Sequence, residues 1–69
     1  MAEAIVLIHR GMARFASAHY RDAVEDMNAA LDLDPSNWRA LFYRGTAYRV
    51  LGDVERAAQD FEQCLSIDP

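Results

Sequence analysis

Apolar side chains recur every three or four positions along four stretches of the chain, and a polar or helix-breaking cluster separates each stretch from the next. That spacing puts them on one face of an α-helix, where a strand would alternate them. The pattern predicts helices over residues 3–17, 20–33, 38–50 and 54–67. In the first, Leu7, Gly11 and Arg14 share one stripe, and Ile5, Ile8, Met12 and Phe15 share a neighbouring one. Its apolar arc is wider than a surface helix needs, which implies contact on two sides. The short apolar run Ala4–Ile8 is read as the buried side of this helix.

In the second helix, Ala23, Val24, Met27, Ala30 and Leu31 form the inner face. Arg21, Asp22, Glu25, Asp26 and Asn28 supply the polar side, with Arg21 and Glu25 spaced to pair across one turn. Asp22, Asp26, Asp32 and Asp34 read as a solvated acidic face. In the third, Trp38, Leu41, Gly45 and Tyr48 lie on one stripe, and in the fourth the buried face is expected at Ala57, Ala58, Phe61, Cys64 and Leu65.

The connections carry their own signals. Pro35 disfavours helix at Asp34, and Ser36 or Asn37 can cap the helix that follows. Gly52 can end the third helix and Asp53 can cap the fourth. The turn at Ser17–Tyr20 has neither Gly nor Pro. Short connections make successive helices antiparallel neighbours.

The two halves of the chain repeat one another. Leu7, Arg10, Gly11, Ala13, Ala23, Asp26, Leu31, Asp34 and Pro35 recur without a gap, 34 positions later, as Leu41, Arg44, Gly45, Ala47, Ala57, Asp60, Leu65, Asp68 and Pro69. A helical hairpin that recurs at such a period completes its burial by stacking on its neighbour. Gly costs a helix about 0.8–1 kcal/mol relative to Ala. Its recurrence at positions 11 and 45 therefore points to a helix packed too close for a Cβ.

Composition narrows the possibilities. With 69 residues there is room for one small domain, and 52% hydrophobic residues is not a disordered composition. Seven basic against eleven acidic residues give a net charge of -4, which argues against binding along a nucleic-acid backbone. A local basic patch of Arg10, Arg14, Arg39, Arg44 and Arg49 remains open. One cysteine, Cys64, cannot close an internal disulfide, which fits a reducing compartment, and the chain is expected to be cytoplasmic. No apolar run has the length of a signal core or a membrane span. His9, His19 and Cys64 lack metal-ligand spacing, and neither a phosphate-binding Gly loop nor a nucleophile-elbow pattern occurs. No cofactor, metal or enzymatic activity is expected.

The period, the hairpin unit and these residues resemble the tetratricopeptide repeat. Counting Trp38 as repeat position one, Leu41, Gly45, Tyr48, Ala57, Phe61 and Pro69 match the family's pattern; Leu7, Gly11, Ala23, Ala30 and Pro35 match in the first copy. Arg10 and Arg44 depart from it, standing where Leu is usual, as do Arg14 for Tyr and Met27 for an aromatic residue. Arg10 and Arg44 either pair with a carboxylate on the following helix, for example Asp26 or Asp60, or make a charged contact to a partner. The resemblance implies an all-α fold of tandem helix-turn-helix repeats, four antiparallel helices in an α-solenoid fragment, forming a single domain over residues 1–69 with repeats at 4–37 and 38–69.

By the same resemblance, the first helix of each repeat lines a groove for a peptide or helix of another protein. Its residues would be Ile5, Ile8, His9, Met12 and Phe15 from the first copy, with Ala16 at the edge. Arg39, Phe42, Tyr43, Thr46 and Arg49 would come from the second, with Val50 beside them. This mixture suits an apolar helix or a short peptide bearing an acidic group. The expected function is a scaffold or adaptor for protein binding. The carboxylate clamp that some members use on chaperone C-terminal tails is not matched: Ile8, Met12 and Tyr43 occupy three of its positions, and in the alternative register Arg39 could replace a Lys but His9 and Tyr43 stand where Asn and Arg are needed. Chaperone-tail binding is therefore not expected. Two copies are fewer than the three usual for a stable array. The chain is then a piece of a longer array, a unit that assembles with itself as a homodimer or larger stack through its uncovered ends, or an adaptor that folds on its partner.

Overall fold

A computed structural model describes residues 2–67 and shows four α-helices: α1 (Ala2–Ala16), α2 (Tyr20–Leu33), α3 (Trp38–Leu51) and α4 (Val54–Ile67). Each expected boundary is met within one residue. The stop assigned to Asp68 and Pro69 lies outside the described residues.

The turns explain the boundaries. Asn37 caps α3: its Oδ1 accepts from the backbone N–H of Arg39 at 3.1 Å and of Ala40 at 3.3 Å, while its Nδ2 donates to Asp34 at 3.2 Å. Asp53 does the same for α4, accepting from the N–H of Arg56 at 3.2 Å. Gly52 ends α3 in the left-handed region, at φ 91°. The first repeat handles the equivalent turn differently. Ala18, the counterpart of Gly52, takes φ 64° despite its Cβ. His19 precedes α2 without making a side-chain cap.

α1 packs on α2, α3 packs on α4, and α2 packs on α3, with a smaller contact between α1 and α3. The first helices of the two hairpins therefore form one layer and the second helices form another. The core between hairpins joins Ile8, Met27, Ala30 and Ala40, flanked by Leu7, Met12, Leu31 and Tyr43. Within each hairpin, the glycine sets the spacing. A Cβ on Gly11 would lie 2.7 Å from Met27 Cε and 3.1 Å from Asp26 Cβ. One on Gly45 would lie 3.0 Å from the Phe61 ring and 3.1 Å from Asp60 Cβ. The approach inferred from the recurrence of glycine is present in both copies.

The same two aspartates carry the polar link between helices. Arg10 donates to Asp26 through Nε at 3.2 Å and Nη2 at 2.8 Å, and Arg14 donates to both Asp26 oxygens at 3.2 Å. Arg44 grips Asp60 with both arms, at 2.9 and 2.7 Å. The hydrogen bonds from Asp26, and then its charge, hold the Arg10 guanidinium above its ordinary pKa. For Arg44 the hydrogen bonds to Asp60 raise it first, burial opposes, and the charge of Asp60 adds to the rise.

Several expectations are corrected. Asp26 is not part of a solvated acidic face: like Asp60 it is buried, because glycine brings the helices together there and arginine neutralises the charge. In α1 only Ala4 and Ile8 of the run 4–8 are buried, while Ile5 and Val6 face outward. In α4, Ala57 and Cys64 are buried but Ala58 and Leu65 are exposed, since no helix covers that flank among the described residues. Trp38 is 38% exposed and does not share the enclosure of Leu41. Arg21 and Glu25 form no ion pair; both are exposed, and water competes with a pair held at two flexible ends.

Candidate protein-binding surface

The α1–α3 layer presents a hollow of about 320 Å³ lined by Met12, Trp38, Arg39, Phe42 and Tyr43. Its position follows from the stacking. Met12 comes from α1 and the other four from the first turns of α3, which the Asn37 cap holds in register. Tyr43 and Met12 rest against the inter-repeat core and form the floor. Phe42 and Trp38 rise from it, exposed by 45% and 38%.

Aromatic rings continue away from the hollow in both directions. Phe15 packs edge-on against Tyr20 and Tyr43, at centroid distances of 5.2 and 5.9 Å. Tyr43 meets Phe42 at 5.7 Å, and Phe42 meets Phe61 at 6.0 Å. Edge-to-face contacts of this kind restrain ring orientation. The result is an apolar surface that is held before anything binds to it.

The charge beside it is uncommitted. Arg10, Arg14, Arg44 and Arg56 are each within 4 Å of a carboxylate. Arg39 has no carboxylate partner at that distance among the described residues, and its guanidinium carbon lies 5.4 Å from the Trp38 ring centroid. A guanidinium over an indole face keeps its donors directed outward.

The sequence-derived groove residues divide into three groups. Met12, Arg39, Phe42 and Tyr43 meet at the hollow, and Phe15 adjoins them through Tyr43. Ile5, His9, Thr46 and Arg49 lie outside that lining; Thr46 donates its hydroxyl to the Phe42 carbonyl at 2.8 Å. Ile8 is a correction: at 4% exposure it belongs to the inter-repeat core and offers no surface. Trp38 was missed. Its counterpart in the first copy is Ala4, and a Trp opposite an Ala at matched positions signals that the two are not enclosed alike. A second concavity, about 390 Å³, lies at the other end of the hairpins among Ala18–Asp22 and Leu51.

Among the described residues no cluster of His, Cys, Asp and Glu could hold a metal ion. No helix there is long and apolar enough to cross a membrane. The architecture is that of an all-α helical-repeat interaction module: two like hairpins, an exposed layer of first helices, and an aromatic surface on it. The chain belongs to the tetratricopeptide repeat family, whose model matches residues 9–69.

Known proteins agree with the assignment. The mouse FK506-binding protein-like protein is 37% identical over 51 residues, 74% of this chain and 15% of that protein. Mouse sperm-associated antigen 1 is 33% identical over 66 residues, 96% of this chain and 7% of that protein. The chain thus spans a small part of the curated relatives it matches. Among solved structures, the second tetratricopeptide domain of Spaghetti (RPAP3), bound to the HSP90 peptide SRMEEVD, is 38% identical with a TM-score of 0.95. That match covers all of this chain and 60% of the other.

Proposed function

We propose that the α1–α3 layer binds a short segment of another protein, an apolar residue entering the hollow and an acidic side chain meeting Arg39. The observation that carries this reading is the conjunction at one place of a preformed aromatic hollow and an arginine without a carboxylate partner among the described residues. A rigid aromatic floor loses little freedom on binding, and Arg, Tyr and Trp are the residues that most often dominate interface energetics. The solved relative with an acidic peptide, SRMEEVD, supports an acidic ligand for this fold.

By the family resemblance, the positions of a carboxylate clamp hold Ile8, Met12 and Tyr43, or in the other register His9, Arg39 and Tyr43, so this reading assigns recognition to side chains along the segment rather than to a terminal carboxylate. Trp38 is the one tryptophan in the chain and lines the hollow, so it reports on occupancy. Its fluorescence should change on titration with SRMEEVD blocked at both ends. Replacing the acidic residues by their amides, or Arg39 by Ala, should weaken binding about tenfold, the scale of one charge-assisted contact. Binding seen only when the C-terminal carboxylate is free would replace this reading with a clamp.

A further inference from the structure

The concavity of about 390 Å³ among Ala18–Asp22 and Leu51 has no part in the binding proposed for the hollow. It is walled by both repeats: the α1–α2 turn belongs to the first, and Leu51 ends α3 of the second. The hollow beside Arg39 is walled in the same way, by Met12 from the first repeat and α3 from the second. Both concavities therefore lie in the crease between the stacked repeats, and neither draws on α4.

One ring connects them. Phe15 packs edge-on against Tyr43 of the hollow at 5.9 Å and against Tyr20 of the second concavity at 5.2 Å, so the two tyrosine rings lie within about 11 Å of one another. The helix gives a second measure: Leu51 follows Tyr43 by eight residues, about 12 Å along an α-helix. An extended segment covers about 9 Å in three residues of polyproline II and about 13 Å in four residues of β-strand. Each of those spacings returns a side chain to the same side of the backbone.

The second concavity offers apolar surface with its charges balanced. Leu51 is 39% exposed, and Ala18 and Tyr20 add to it. Arg21 and Asp22 bring opposite charges, so an ion gains little there, while an apolar side chain gains the contact with Leu51.

We propose that the segment bound at the hollow continues across Phe15 and sets a second apolar side chain, three or four residues from the first, against Leu51 and Tyr20. This rests on the binding proposed for the hollow and adds to it the spacing that the ligand must have. Two anchors joined by a short linker bind more tightly than either alone, because the second contact is made within one complex. Phe15, partly exposed and braced by a ring on each side, is the surface that the linker crosses.

End-blocked SRMEEVD tests this by Trp38 fluorescence, since its methionine and valine stand three residues apart. Replacing the peptide's valine by alanine should weaken binding about three- to tenfold, the scale of removing two partly buried methyl groups. Leu51→Ala should weaken the parent peptide by a similar factor and leave the alanine peptide unaffected, because both changes remove the same contact. The rearranged peptide SRMVEED, with the two apolar residues adjacent, should bind no better than the alanine peptide. Circular dichroism checks that Leu51→Ala keeps its helicity, and the peptide arms need no variant of the chain. Replacing the peptide's methionine, or Arg39→Ala, reports on the hollow. If those weaken binding and loss of the valine does not, the second anchor is overturned and the hollow stands. Leu51→Ala that weakens both peptides equally, or SRMVEED binding as well as the parent, overturns it too. If no end-blocked peptide binds, the reading of the hollow fails and this one fails with it.

Discussion

Ala18 and Gly52 occupy the same place in the two repeats, and exchanging their residue types measures what the first turn costs. Ala18 holds φ 64° and Gly52 holds φ 91°. A left-handed conformation costs a residue with a Cβ about 1–2 kcal/mol. Glycine removes that strain but gives the unfolded chain more freedom, which costs about 0.4–1 kcal/mol. The net for Ala18→Gly is a stabilisation of about 0.5–1 kcal/mol. In a domain of this size that raises the melting temperature by about 2–8 °C. The reverse change, Gly52→Ala, should lower stability by a similar amount. A Cβ at Gly52 meets nothing within 4 Å, so backbone strain is the whole effect and no clash confuses it. Thermal unfolding followed by circular dichroism, at one fixed low protein concentration, is the assay. If both variants move the melting temperature in the same direction, or Ala18→Gly lowers it, the account of this turn is wrong.

The Arg44–Asp60 pair and the glycines make further predictions. Arg44→Leu leaves Asp60 buried without its partner and should cost about 2–3 kcal/mol in urea unfolding, while Arg44→Leu combined with Asp60→Ala should recover most of it. Arg10→Leu should be milder, since Arg14 still reaches Asp26. The raised pKa of Arg10 and Arg44 means that their contribution is fully present below the ordinary arginine value and is lost only as pH climbs through a still higher one. Their share of stability should therefore be flat across the neutral range; a loss there on mild alkalinisation would contradict the assignment. Gly45→Ala presses on the Phe61 ring and the Asp60 backbone-proximal carbon, and should cost about 1 kcal/mol after the helix-propensity gain. Gly11→Ala meets the flexible tip of Met27 and should cost less; calorimetry that ranks the two the other way would refute the packing argument.

Much of the fold could be read from the chain, for local reasons. Helix limits follow from caps at Asn37, Asp53 and Gly52, each a residue whose side chain or backbone freedom acts on its own neighbours. The hairpin spacing could be read because Gly11 and Gly45 have no local justification, and the Arg–Asp links because both partners recur together. What escaped the sequence depends on surroundings. Matched positions carry matched stripes, yet Ile8 is enclosed by repeat two, while Phe42 touches Tyr43 and Phe61 and is left 45% exposed. Leu31 and Leu65 differ for the same reason. Asp26 and Asp60 sit on the polar arc by composition, and only the close approach at the glycines buries them. Of the groove list, the residues that meet are those near the first turns of α3, where Trp38 completes the wall.

The central claim is that the α1–α3 layer, at the hollow beside Arg39, is where this chain meets another protein's peptide. Backbone amide shifts recorded during titration with end-blocked SRMEEVD test it most directly. The account predicts that the largest changes fall at Met12, Trp38, Arg39, Phe42 and Tyr43, with the exposed side of α2 silent. Changes concentrated on α2, or around Ala18–Asp22 and Leu51, would contradict it.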